Sequence, residues 1–102
     1  MVVEAVTGLE ALRVAEKDHP DLILLDILLP ELSGDEVIRL IKADPLMRIV
    51  PLIVLTSLAP EDERVKRAQT YGAKEIMLKP YTFKALGEAI GRYVPLSRES
   101  RF

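Results

Sequence analysis

The sequence predicts an α/β fold in which helices cover a doubly wound parallel sheet, with four strands and four helices. Short apolar runs alternate along the chain with segments that carry a helical stripe of apolar residues. This alternation is typical of parallel βαβ units. The runs are apolar at consecutive positions, as expected for strands that are covered on both faces of a sheet. A chain of 102 residues is long enough for one small domain of this kind.

The first strand–helix unit occupies the N-terminal part of the chain. Val2–Val6 is interpreted as a short strand. Thr7 and Glu10 have the spacing of a capping box, in which the side chains at the two positions satisfy each other's backbone N–H groups. The pattern therefore predicts a helix from Thr7 to about Lys17, which Pro20 brings to an end.

The second unit begins with a strand at Leu22–Asp26 that is apolar up to its last residue. A second capping-box pattern lies at Ser33–Glu36 and predicts the start of a helix. The apolar stripe of that helix consists of Val37, Leu40 and Ile41. Asp44–Pro45 ends it, because the residue before a proline is disfavoured in helical conformation.

The third unit combines a strand at Pro51–Thr56 with an acidic helix start. Pro60 is expected at the beginning of this helix, with the acidic residues 61–63 in its first turn, where they would offset the helix dipole. Gly72 is the predicted C-terminal stop.

The last unit contains a strand at Lys74–Leu78 and a helix that Thr82 caps. The apolar stripe of this helix is predicted to comprise Phe83, Leu86, Ile90 and Tyr93. Residues 1–94 are thus assigned to one domain, and the polar segment 95–102 is interpreted as a tail or the start of a linker.

Composition narrows the class of function. The apolar fraction of 49% supports a packed core, and the net charge of −2 comes from interspersed acids and bases. Direct nucleic-acid binding is not expected, because the chain has no basic stripe. No apolar stretch is long enough to span a membrane. The absence of cysteine excludes disulfides and thiol catalysis and agrees with the cytoplasm, and the single histidine, His19, excludes a multi-histidine metal cluster.

Three apolar strands end in side chains that could act together. Leu22–Asp26 ends in an acid, the next strand ends in the hydroxyl of Thr56, and the fourth leads into the amine of Lys79. Groups at the carboxyl ends of parallel strands converge on one crevice, where ligands bind. Taken singly, the three would be a turn aspartate, a β-branched strand residue and a solvated lysine. Together they predict a site that handles phosphoryl groups.

The chain resembles the receiver domain of two-component response regulators, which has a flavodoxin-like fold. The resemblance is carried by the run Asp26–Gly34, by Leu55–Ser57, by Gly72–Ala73 and by Lys79–Pro80. It implies that Asp26 is the phosphoacceptor, that Thr56 is the switch hydroxyl and that Lys79 pairs with the phosphoryl group. It also implies a cis Lys79–Pro80 peptide bond.

The sequence departs from this family in two places. Val2–Val6 aligns with the family's second strand, so the family's first strand, its acidic pair and its first helix have no counterpart. Of the expected Mg²⁺ ligands only Asp26 and the backbone carbonyl of Leu28 remain, and Mg²⁺ binding is therefore expected to be weak or absent. The second departure is Ile76, which stands where the family usually has its switching aromatic residue.

The missing strand has a structural consequence. In the family's strand order 2-1-3-4-5 it would lie between Val2–Val6 and Leu22–Asp26, so its loss exposes two strand edges. The two flanking strands could pair directly, a second copy could fill the gap, or the native protein could be longer. Of these, self-association is the favoured hypothesis.

The favoured function is a response regulator receiver module of a phosphorelay. It would accept a phosphoryl group on Asp26 from a histidine kinase or phosphotransfer protein and act on a downstream protein target. The alternatives are a receiver-like interaction scaffold that works without phosphorylation, and a fragment of a longer receiver. The sequence shows no nucleophile–base pair and no Gly-rich phosphate loop, so an independent enzyme is not expected.

Overall fold

The fold is a four-stranded parallel sheet with helices on both faces, as the sequence predicts. A computed structural model describes residues 1–5, 8–26 and 34–94. The strands pair in the order β1-β2-β3-β4. The elements are β1 (Val2–Ala5), α1 (Gly8–Asp18), β2 (Leu22–Asp26), α2 (Gly34–Ala43), β3 (Leu52–Thr56), α3 (Glu63–Tyr71), β4 (Glu75–Leu78) and α4 (Phe83–Gly91).

Strand β1 pairs directly with β2, and no strand lies between them. Val3 is the partner of Ile23, and Glu4 is the partner of Leu24. Of the three alternatives for the missing strand, the structure therefore has the direct pairing. The two edges that motivated self-association are joined to each other, so that hypothesis loses its original structural argument.

Two apolar layers form the core, one on each face of the sheet. On one face, α1, α2 and α3 pack against β2 and β3 through a buried cluster that includes Ala11, Ile38, Val65, Leu25 and Val54. On the other face, α4 covers a smaller buried cluster: Leu22, Leu24, Ile53, Leu55, Ala89 and Val94. Burial on both faces explains why the runs in β2 and β3 carry no alternating polar residues.

Most predicted helix ends are confirmed. Helix α1 ends just before His19, which is exposed and has a φ of 46°, and Pro20 follows it. Helix α2 ends before Asp44, whose carboxylate accepts hydrogen bonds from the N–H groups of Leu46 and Met47 at 2.8 and 3.1 Å. Gly72 follows α3 with a φ of 118°, a left-handed conformation that glycine adopts without strain.

The predicted start of α3 is wrong. The helix begins at Glu63, and its N-cap is Asp62, whose carboxylate accepts a hydrogen bond from the N–H of Arg64 at 2.8 Å. Pro60 and Glu61 lie in a turn that precedes the helix and is closed by the Asp62 N–H and the Ala59 carbonyl, 3.0 Å apart. An aspartate is a better N-cap than a proline because its side chain satisfies an otherwise free N–H group.

The last helix is capped as predicted, but one of the four residues of its predicted apolar stripe is exposed. The Thr82 hydroxyl accepts a hydrogen bond from the Ala85 N–H at 3.0 Å. Leu86 and Ile90 pack against the smaller core cluster, and so does Tyr93 from just beyond the helix. Phe83, in contrast, is 92% exposed, because the first residue of α4 lies outside the contact with the sheet.

Several predictions concern residues outside the described ranges. They are the end of the first strand at Val6, the caps at Thr7 and Ser33, the Leu28 carbonyl and the segment 95–102. Within the described ranges, none of the helices is long and apolar enough to cross a membrane.

Candidate functional site

Asp26 and Lys79 meet at the carboxyl end of the sheet. Asp26 is the last residue of β2 and pairs in register with Leu55 of β3. Lys79 follows β4 directly. The Lys79 ammonium donates a hydrogen bond to Oδ2 of Asp26 at 2.8 Å, although the two residues are 53 positions apart in the chain. The structure thus brings together the acid and the amine that the sequence predicted to converge.

The ion pair remains open to solvent. The Asp26 side chain is 28% exposed and the Lys79 side chain is 40% exposed. The hydrogen bond to Asp26 raises the pKa of Lys79 above its ordinary value, although desolvation by burial opposes the rise. The lysine is therefore charged at neutral pH, and a charged group next to a reachable carboxylate can neutralise an approaching anion.

Thr56 supports the same corner from β3. It is fully buried, and its carbonyl accepts a hydrogen bond from the Lys79 N–H at 2.8 Å. Its hydroxyl accepts a hydrogen bond from the Leu58 N–H at 3.0 Å, which shapes the turn after β3. Thr56 is therefore close to Lys79 through the backbone, while its side chain holds the neighbouring loop.

Two further predictions for this region concern the Lys79–Pro80 peptide bond and the side chain of Ile76. The Lys79–Pro80 peptide bond is cis, as the resemblance implied. Ile76 pairs with Val54 and packs, partly buried, against the layer of α1, α2 and α3. An isoleucine in this position supplies apolar contact and has no hydroxyl or ring that could alternate between hydrogen-bonded positions.

The described residues include no cluster of carboxylates of the kind that holds a metal ion. Among residues 1–5, 8–26 and 34–94, no three or more His, Cys, Asp or Glu side chains form a group that could hold a metal ion. Asp26 is one carboxylate, and its Oδ2 atom already accepts a hydrogen bond from Lys79. Mg²⁺ requires near-octahedral oxygen coordination, usually with one or two carboxylates, so this arrangement fits the ion poorly.

Sequence reasoning missed a second long-range ion pair, which joins α2 to α3. Asp35, at the start of α2, is only 3% exposed, and its Oδ2 accepts a hydrogen bond from Nε of Arg67 in α3 at 2.6 Å. This bond raises the pKa of Arg67. Asp35 was interpreted only as part of a capping box, and no local pattern links it to a residue 32 positions away.

Comparison with known proteins gives a consistent family. The family model of the response regulator receiver domain matches residues 1–91. The polar-differentiation response regulator DivK of Brucella ovis is 40% identical over 90 residues, which cover 86% of this chain and 71% of DivK.

Solved structures agree with this match. The receiver domain of the sensor histidine kinase PA1611 from Pseudomonas aeruginosa, whose active-site cleft coordinates a magnesium ion, has a TM-score of 0.78 and 30% identity. It covers 87% of this chain, which spans 72% of that domain. The chemotaxis response regulator CheY4 of Vibrio cholerae has a TM-score of 0.77 and 26% identity, over 88% of this chain and 74% of CheY4.

The match and the geometry lead to the same class of protein. Receiver domains are signalling modules that take part in phosphorelays with histidine kinases and downstream targets. The fold is the feature that this chain shares with the solved receiver structures. The chain belongs to the response regulator receiver domain family.

Proposed function

We propose that this receiver domain accepts a phosphoryl group on Asp26 from a histidine kinase or a phosphotransfer protein. The observation that carries the proposal is the 2.8 Å ion pair between Asp26 and Lys79 at the carboxyl end of the sheet. The partly exposed carboxylate can be reached by a donor, and the adjacent ammonium offsets the negative charge that a phosphoryl group brings.

The proposed step is a direct phosphoryl transfer. A carboxylate oxygen of Asp26 attacks the phosphorus atom of a phosphohistidine on the donor, and a new O–P bond forms. The P–N bond breaks, and its electron pair stays on the imidazole nitrogen of the donor. The product is an acyl phosphate on Asp26. Because the reactants are both anionic, the protein contributes mainly positioning and charge neutralisation.

Lys79 and Thr56 have separate roles in this proposal. Lys79 shifts its hydrogen bond from Oδ2 of Asp26 to an oxygen of the phosphoryl group. Thr56 is the switch residue: its hydroxyl, which now accepts a hydrogen bond from the Leu58 N–H, turns to donate one to the phosphoryl group. This movement would free the Leu58 N–H and so transmit the phosphorylated state to the loop after β3.

Magnesium is expected to bind weakly. Asp26 and the backbone carbonyl of Leu28 are the ligands that this chain offers by resemblance, and Leu28 lies outside the described residues. A magnesium titration followed by calorimetry should show no tight site. Tight binding would contradict this expectation and would require carboxylates beyond Asp26.

The wider setting is also proposed. The protein would be a cytoplasmic signalling module that contacts neither a membrane nor nucleic acid directly and that catalyses no reaction with turnover of its own. It would pass its phosphorylated or unphosphorylated state to a downstream protein. The surface that contacts the downstream protein would be the one formed by α3, β4 and α4. By resemblance, Ile76 of β4, the register partner of Val54, takes the position of the switching aromatic residue, so this chain would rely on Thr56 alone for the switch.

The proposal is tested by intact mass spectrometry after incubation with acetyl phosphate and magnesium. The expected result is a gain of one phosphoryl group that Asp26→Asn abolishes. Lys79→Met should slow the gain, because the compensating charge is lost, whereas Lys42→Met serves as a matched control. Lys42 lies away from the site, where its ammonium donates to the carbonyls of Arg48 and Val50 at 2.9 and 2.8 Å.

A second candidate is a receiver-like scaffold that works without phosphorylation. It is favoured by the lack of a metal-holding acidic group among the described residues and by the aliphatic side chain at Ile76. Under this alternative, phosphodonor treatment leaves the mass unchanged, and Asp26→Asn leaves binding to the downstream partner unchanged. A phosphorylation-dependent change in partner affinity would eliminate it.

Self-association is retained only as a proposal. In the described sheet β1 is an edge strand, and the edge of a strand can pair with another chain. Glu4, an exposed charged residue on that strand, acts against such pairing. Light scattering over a range of concentrations tests it, since a mass that stays at that of one chain would exclude self-association.

A further inference from the structure

The first residue of α4 presents an aromatic ring to solvent. Phe83 is 92% exposed, more than any other large apolar side chain among the described residues. The helix surface beside the ring is bare, because Gly87 lies one helical turn further on and a Cβ added to it would meet no atom within 4 Å. A protruding ring next to an uncovered helix backbone allows another surface to approach α4 closely.

The opposite face of the molecule carries an apolar groove of about 470 Å³ between α1 and α2. Leu12 and Met47, which also pack against the larger core cluster, line this α1–α2 groove. So do Leu9 and Leu40, which are 54% and 38% exposed. The groove lies on the side of the sheet that α1, α2 and α3 cover, whereas the Phe83 ring belongs to the helix on the other side. One chain therefore cannot fill its own groove with its own ring.

The charges around the ring and around the groove are complementary. Lys84 follows the ring, and Glu88 lies one turn beyond Lys84 on the exposed surface of α4. The lining of the groove includes the carboxylates of Glu16 and Asp44 and the guanidinium of Arg13. When the ring of one chain meets the groove of another, the lysine can pair with an acid of the groove and the glutamate with the arginine. This complementarity favours a second copy of the chain as the occupant of the groove.

We propose that Phe83 of one chain inserts into the α1–α2 groove of a second copy, so that the protein self-associates. Burial of the aromatic ring supplies the main gain, and the flanking charges set the orientation of the two copies. A contact with one aromatic anchor supports only weak association, because lost rotational and translational freedom opposes it. The dissociation constant is expected to be on the order of 0.1–1 mM.

The placement of the two surfaces makes the contact head to tail. The ring and the groove lie on opposite faces of a molecule whose smallest extent is 21 Å, so two copies cannot insert their rings into each other at the same time. Each contact uses one ring and one groove and leaves the others free, so further copies add unless the rotation closes a ring of subunits. This contact differs from pairing at the β1 edge and does not depend on phosphorylation of Asp26.

The first test is sedimentation equilibrium of the unaltered chain and its variants up to about 1 mM, the upper end of the expected dissociation constant. The mean mass should rise with concentration. Phe83→Ala should weaken association at least about tenfold, as for the loss of a buried aromatic side chain. Gly87→Gln should also weaken it by filling the space beside the ring, while glutamine favours the helix more than glycine does.

Ile49→Ala is the matched control, because Ile49 is 79% exposed and lies outside both surfaces. It should leave the association unchanged. Equal weakening in Ile49→Ala and Phe83→Ala would show that exposed apolar residues associate without specificity and would overturn the proposal. Association that persists in Phe83→Ala would place the contact elsewhere, as at the β1 edge, and a mass that stays at that of one chain would show that no contact forms; either result overturns the proposal.

The second test mixes two variants that each lack one half of the contact. Phe83→Ala keeps the groove, and Leu9→Gln keeps the ring but places an amide in the groove; both changes are at exposed positions, so the fold is retained. Neither variant alone should associate, whereas an equal mixture should form pairs of two copies and nothing larger. A mixture that remains monomeric, or one that forms larger species, would overturn the head-to-tail contact.

Discussion

Two aspartates nine positions apart, Asp26 and Asp35, have opposite environments. Each accepts a hydrogen bond from a distant cation, Lys79 for the first and Arg67 for the second. The Asp26 side chain is 28% exposed, whereas that of Asp35 is 4% exposed. Because Asp26 is partly exposed, a reactant can reach its carboxylate. Because Asp35 is buried, its carboxylate instead holds α2 against α3.

The energetics follow from this difference. A partly exposed ion pair contributes little to stability, because water already solvates both partners. A buried carboxylate depends on its partner, since removing the partner leaves an uncompensated charge. The comparison teaches that, in this fold, the exposure of a charged side chain has to be known before the residue is given a functional or a structural role.

The largest expected effect is a loss of stability in Asp35→Ala. Truncation removes the buried carboxylate that links α2 to α3, while the remaining guanidinium of Arg67 is 45% exposed and can be solvated. The free energy of unfolding should therefore fall by about 1.5–3 kcal/mol, as for the loss of hydrogen bonding to a charged group. Asp26→Ala should change it by less than about 1 kcal/mol. Urea denaturation measures both, and equal losses would remove the distinction between the two aspartates.

Thr56 extends the comparison between buried and exposed residues to the site itself, because it is the buried one of the three predicted site residues, Asp26, Thr56 and Lys79. Thr56→Val keeps the shape but leaves the Leu58 N–H without its acceptor, which should lower the free energy of unfolding by about 1–3 kcal/mol. Thr56→Ser keeps the hydroxyl and loses one methyl group, about 0.8 kcal/mol. A larger loss in the serine variant would show that the hydroxyl does not support the loop.

Exchanging the cations tests whether each aspartate requires its own partner. Arg67→Lys should lower the urea midpoint, because a lysine cannot reproduce the Nε donor that lies 2.6 Å from Asp35. Lys79→Arg should leave the midpoint unchanged, since the exposed pair tolerates another cation. The reverse pattern would place the structural role at Asp26.

The smallest expected effect is a change of stability at alkaline pH. The folded protein raises the pKa of Lys79, so the ion pair stabilises the fold fully below the ordinary lysine pKa of about 10.4. This contribution disappears as the pH rises through the raised pKa. The difference in urea midpoint between the unaltered protein and Asp26→Asn should therefore narrow from pH 8 to pH 12, and a constant difference would contradict the assignment.

Local patterns predicted the elements and the convergence of the site. The apolar run at Leu22–Asp26 matches β2 residue for residue, and Gly72 and Thr82 end and begin helices as their chemistry requires. The meeting of Asp26 and Lys79 was predictable because parallel strands of this fold end at a common edge. The start of α3 was missed because the sequence offers two possible starts, at Pro60 and at Asp62, and the Asp62 side chain satisfies a backbone N–H group that a proline cannot.

Long-range pairings were not predictable from such patterns. The Asp35–Arg67 ion pair depends on how α2 and α3 pack. The placement of Glu4 depends on β1 pairing directly with β2, for which the sequence left three alternatives open. No short sequence pattern around Asp35, Arg67 or Glu4 predicts these placements, because strand order and helix packing are set by the whole fold.

The most direct test is to locate the phosphoryl group. After incubation with acetyl phosphate, borohydride reduction would trap an acyl phosphate, and peptide mass spectrometry would identify the modified residue. The account predicts modification at Asp26, none at Asp35, and loss of the signal in Asp26→Asn. Modification at Asp35, a signal that persists in Asp26→Asn, or an unmodified protein would contradict the claim that the exposed aspartate is the phosphoacceptor.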